Sequence, residues 1–193
     1  PQIVDILDAT MGSLNRMKPK EVTTITLAMA KIVKNIRSRP QKKRNAAQQA
    51  FSRVLFNESW SLNESVFYEL AKASKQQLHD FEARDFSNLA YAHALLGYDP
   101  KFDDGSRLLN CIADKVLAMK DLKQFKPQHI SNIVWAYATA NEKHPGLFKR
   151  IGDDILAMQD LKLFNSQNLA NIVWAYATAN EKHPDLFQRI GDD

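Results

Sequence analysis

The chain has 193 residues, 45% hydrophobic and 25% charged, with a formal net charge of +4 and one cysteine. Those proportions belong to a globular protein and exclude a disordered chain, a disulfide-built domain and, since no apolar run nears the roughly 18 residues needed, a bilayer-spanning segment. The charge is uneven: Lys31, Lys34, Arg37, Arg39, Lys42, Lys43, Arg44 and Arg53 lie between Val22 and Asn57 with no acidic residue, which leaves −4 for the rest of the chain (4 − 8). A cluster of that density suits a polyanion such as nucleic acid, or is a solvated basic loop.

Residues 1–16 have helical spacing, with Ile3, Val4, Ile6, Leu7, Met11 and Leu14 on the apolar side. They lack a partner helix before them and read as the second helix of a preceding repeat. Their opening, PQIVDILDAT, has neither the basic-then-apolar order of a secretion signal nor the Arg- and Ser-rich look of a transit peptide. Residues 17–80 form repeat one. Its first helix is MKPKEVTTITLAMAKI; the stretch RSRPQKKRNAAQQ, with Pro40 and the basic run, is an insertion. Helical spacing returns over 48–56 and 64–78. Repeat two, 81–124, opens with FEARDFSNLAYAHALL and continues into GYDPKFDDG, a loop by its Gly, Pro and Asp content.

Repeats three (125–163) and four (164–193, truncated) share NIVWAYATANEKHP, at Asn132 to Pro145 and Asn171 to Pro184. Of the 30 positions paired between Phe125–Asp154 and Phe164–Asp193, 23 are identical. In each unit a proline or small polar residue opens the first helix, which runs to about Ala140, an NEKH turn follows, and Pro145 opens the second. Gly152 inside that second helix lowers its propensity by about 1 kcal/mol, a loss recovered if another helix approaches closely there. The expected fold is therefore all-α: an α-solenoid of stacked helical hairpins with about 39 residues per repeat. The last unit lacks counterparts of Ile155, Leu156 and Met158, so more repeats of the same chain are expected beyond both ends.

The phrases FKPQHISNIVWAYATANEKHPGLF, FNSQNLANIVWAYATANEKHPDLF and FEARDFSNLAYAHALLGYDPKFDDG resemble the helical repeats of organellar RNA-binding proteins. These are the octotricopeptide repeat proteins, the FAST-kinase-like and RAP-domain proteins, and the repeat proteins of the kinetoplastid RNA-editing substrate-binding complex. The likeness covers residues 17 to 193. It implies single-stranded RNA binding in a mitochondrion or plastid, with effects on transcript stability, processing or translation. Two departures from that pattern are that these 193 residues include no RAP domain and hold too few repeats for a long RNA site.

On the first helices, Gln128, Asn132 and Thr139 fall at i, i+4 and i+11 and share one face. Stacking the units aligns Lys20, Arg84, Gln128 and Gln167 beside Thr24, Asn88, Asn132 and Asn171. Such a ladder bonds base edges or phosphates, or else joins the repeats to each other. The differing pairs His129 and Asn168, and Ser131 and Ala170, are where units would read different nucleotides, unless they record drift after duplication. Trp135 and Trp174, with counterparts Tyr91 and Leu27, share bulk rather than chemistry, so packing is preferred to base stacking. The candidate RNA-binding set is thus the ladder with His129, Asn168, Lys31, Lys34, Arg37, Arg39, Lys42, Lys43 and Arg44.

An enzyme is not expected. The five histidines include no pair at metal spacing, and no nucleophile pattern or Gly-rich phosphate loop is present, so no metal or cofactor is assigned. His144 and His183 precede prolines at helix starts, where capping is the expected role. Cys111 lies on an apolar helix stripe. The competing function is a protein-interaction scaffold of the armadillo or HEAT kind, gripping a protein partner with the same hairpins.

Overall fold

A computed structural model describes residues 12–39, 46 and 66–192, and among these the protein is all-helical, with no β-strand. The helices are α1 Pro19–Arg37, α2 Val66–Gln76, α3 Ala83–Leu96, α4 Leu108–Leu117, α5 Pro127–Ala140, α6 Pro145–Leu156, α7 Ser166–Ala179 and α8 Pro184–Asp192. Proline opens α1, α5, α6 and α8, where its missing N–H is one the first turn leaves unbonded anyway. None of these helices is long and apolar enough to cross a membrane. The helices expected over 1–16 and 48–56, and Lys42, Lys43, Arg44 and Arg53, fall wholly or mainly outside the described residues; Leu14–Arg16 forms a short 3-10 turn.

Helices α3, α5 and α7 end alike. Gly97, Asn141 and Asn180 take the left-handed conformation, at φ 63°, 53° and 57°. In each case that residue's N–H and the next one's bond back to the last turn, as Glu142 N–H does to the Tyr137 carbonyl at 3.0 Å. Asparagine tolerates this backbone better than most residues, so the NEKH turn works without glycine. His144 caps α6 as expected, its Nδ1 accepting from Leu147 N–H at 3.3 Å.

The odd-numbered helices form one row, with the most extensive contacts between α1 and α3, α3 and α5, and α5 and α7. The even-numbered helices form a second row, in which α2, α4, α6 and α8 touch in sequence. Small side chains permit the close packing of the first row: Ala90, Ala92, Ala136 and Ala175 are fully buried. A continuous core runs between the rows from Tyr68 to Leu186, and a smaller cluster around Val22, Val33, Phe67 and Leu70 ties α1 to α2 and α3.

Two contacts recur at the repeat interval. Tyr137 Oη donates to the Leu109 carbonyl and Tyr176 Oη to the Phe148 carbonyl, the latter at 2.6 Å. Arg150 donates to the carbonyls of Leu117 and Met119 at the end of α4, and Arg189 repeats this on Leu156 and Met158 at the end of α6. A cation on the free carbonyls of a helix C-terminus also meets the negative end of its dipole. At Gly152 the close approach is by a side chain: a Cβ there would collide with the imidazole ring of His183.

Candidate nucleic-acid interface

An α-helix turns about 100° per residue, so positions i, i+4, i+7 and i+11 lie within an arc of about 60°. On α5 these are Gln128, Asn132, Trp135 and Thr139. The core side of the same helix, Ile130, Ile133, Val134 and Tyr137, is fully buried, while Gln128 and Thr139 are exposed and Asn132 and Trp135 half-buried. The other odd helices repeat this open face with Lys20, Thr24, Leu27 and Lys31 on α1, Arg84, Asn88, Tyr91 and Leu95 on α3, and Gln167, Asn171, Trp174 and Thr178 on α7. None of these residues is acidic. At its N-terminal edge Asp80, Glu82 and Asp85 line a cleft with Lys18, Lys20 and Arg84.

The ladder residues therefore share one surface, and the structure distinguishes among them. Asn88, Asn171, Gln128 and Gln167 make no side-chain hydrogen bond among the described residues. Asn132 donates to Ser87 Oγ of the neighbouring helix at 3.4 Å, which is the repeat-joining role at that rung.

Asn168 is buried and His129 half-buried. Both occupy the third position of their helices, where the side chain reaches back to an unbonded N–H: His129 Nδ1 accepts from Lys126 N–H and Asn168 Oδ1 from Asn165 N–H, each at 3.3 Å. Glu21 and Asp85 do the same in α1 and α3. Asn168 is 8% exposed and its Nδ2 donates to Ser131 Oγ at 3.2 Å; Thr23 and Asp85 form the matching link between α1 and α3 at 3.0 Å. Both positions cap their helices, and Asn168 and Asp85 also couple neighbouring repeats. Burial, and then the charges of Lys126 and Arg84, push the His129 pKa down.

Of the basic cluster, Lys31 and Lys34 are exposed on α1. Arg37 turns instead toward α3, donating to the Leu96 carbonyl at 2.7 Å, and so helps close a helix end. Arg39 is exposed just past α1.

Trp135 keeps the expected packing role in part, and Trp174 keeps less of it. Trp135 packs partly on the core, but Trp174 is 45% exposed, and the rings of Tyr91, Trp135 and Trp174 follow one another across three helices. Their centroids are 4.9 Å apart for Tyr91 and Trp135 and 6.3 Å for Trp135 and Trp174, the latter pair at 30°. The signal for this row was in the spacing: Trp135 is seven residues after Gln128, two helical turns along the same face.

Among the described residues no group of three or more His, Cys, Asp or Glu side chains is placed to hold a metal ion. No family model matches the chain, and no curated protein matches it in sequence.

Proposed function

We propose that the two rows of helices are a section of an α-solenoid and that the open face of α1, α3, α5 and α7 binds single-stranded RNA. The observation that carries this reading is the composition of that face. Lys20, Lys31 and Arg84 supply charge at one end, Asn88, Asn171, Gln128 and Gln167 supply amides without a protein partner, and no carboxylate lies on the face itself. Cations bind the phosphodiester backbone whatever its sequence, and side-chain amides suit the donor and acceptor edges of unpaired bases. The resemblance of the repeats to organellar RNA-binding proteins supports the same reading and extends it to RNA processing, stability or translation in a mitochondrion or plastid.

The test is filter binding of homopolymer RNA and duplex DNA at two salt concentrations. Single-stranded RNA should bind more tightly than duplex, with a slope of log affinity on log salt of about −0.7 per phosphate contact. Changing Lys20, Lys31 and Arg84 together to Gln should flatten that slope by about two. A slope unchanged in this variant removes the face from the site.

A further inference from the structure

We propose that Tyr91, Trp135 and Trp174 form a stacking rail for the bases of single-stranded RNA; the inference rests on the RNA reading of the same face. Three observations carry it. First, Tyr91 and Trp135 stay partly exposed although a helix of the row packs on each side of theirs, and the fold does not require an aromatic ring at this position, since Leu27 holds the same place on α1. Second, the rings lie in the line of the ladder: each follows an asparagine by three residues, and Thr139 and Thr178 follow the two tryptophans by four. Every rung of α5 and α7 thus offers an amide, an aromatic face and a hydroxyl side by side.

Third, the charge distribution leaves this part of the face something to do. Lys20, Lys31 and Arg84 sit on α1 and α3, whereas the open faces of α5 and α7 carry no ionised residue. A strand crossing the row is held by its phosphates at one end and must be held by its bases at the other. Stacking on an aromatic side chain accepts any base, because every base has a π-face.

The experiment compares a fluorescein-labelled 12-residue oligouridylate with an abasic oligomer of the same length by anisotropy. Trp174→Leu should weaken oligouridylate binding about five- to a hundredfold, leave abasic binding and the salt slope as in wild type, and be largely rescued by Trp174→Tyr. Trp135→Leu should do the same; if it loses the folded far-UV spectrum, Trp174→Leu alone decides. Leucine variants that bind both oligomers as tightly as wild type overturn the rail and leave the RNA reading standing. A wild-type chain that binds neither oligomer overturns both, and binding of an oligoglutamate peptide in their place would assign the face to an acidic protein ligand.

Discussion

Replacing Gly152 by alanine should destabilise this protein, although glycine inside a helix is ordinarily worth removing. In an exposed helix the change to alanine gains about 1 kcal/mol. Here the new methyl collides with the His183 ring, which packs edge-on to Tyr176 with centroids 6.3 Å apart and lies 3.3 Å from Asp153 through Nε2. The His183 side chain is only 11% exposed, so it cannot swing into open solvent without giving up that contact. Overpacking of this kind costs about 1–3 kcal/mol. Its upper part applies here because the overlap is with the ring itself, which leaves a net loss of about 1–2 kcal/mol, or roughly 2–4 °C in Tm per kcal/mol for a chain of this size. The repeat supplies its own control: Gly191 stands at the equivalent place in α8 with nothing within 4 Å of a Cβ, so Gly191→Ala should be neutral or slightly stabilising. Thermal and urea unfolding of Gly152→Ala, His183→Ala and the double variant complete a cycle, in which the second change should relieve the first and give a coupling energy of about 1 kcal/mol or more. A Gly152→Ala protein with a raised Tm, or additive changes in the cycle, would refute the argument.

Burial lowers the His93 pKa to about 4, against the help of its bond to the Tyr98 carbonyl, so the unfolded chain takes up this proton first on acidification. Stability should therefore fall as pH drops from about 6.5 toward 4, by about 2 kcal/mol between pH 7.5 and 5, with His129 adding in the same direction. His93→Met, which places there the residue that α1 carries as Met29, should flatten the profile measured by urea unfolding at each pH. Arg150→Gln removes two charged bonds to the end of α4 and should lower the urea midpoint by the equivalent of about 1–2 kcal/mol with no change in the m value. Asn168→Ala should cost a similar amount through the lost cap and the lost bond to Ser131, while RNA affinity per folded molecule stays as in wild type; a selective loss of RNA binding would return Asn168 to the interface.

Helix positions were legible because their signals are local. Pro19, Pro127, Pro145 and Pro184 mark helix starts through the missing N–H, and the repeated Asn141 and Asn180 mark helix ends through a backbone that asparagine tolerates. The duplicated NIVWAYATANEKHP announces the same unit twice, and the spacing of Gln128, Asn132 and Thr139 placed the polar ladder on one face from helical geometry alone. What a side chain does between repeats was not legible, because the partner comes from another turn of the chain. The bond of Asn168 to Ser131 of the preceding unit and that of Arg37 to the Leu96 carbonyl at the end of α3 are such contacts. Gly152 was expected to admit a neighbour, but only the packed structure identifies that neighbour as His183. Identical sequences also receive different surroundings: Val134 is fully buried and its copy Val173 is 37% exposed, and Trp135 is half-buried where Trp174 stands in solvent. The sequence by itself determines the helices, their ends and which residues share a face, since these follow from backbone geometry over a few residues. The tertiary structure decides which faces are covered and which polar atoms are already bonded, since burial and pairing depend on neighbours brought in from some 30 to 60 residues away.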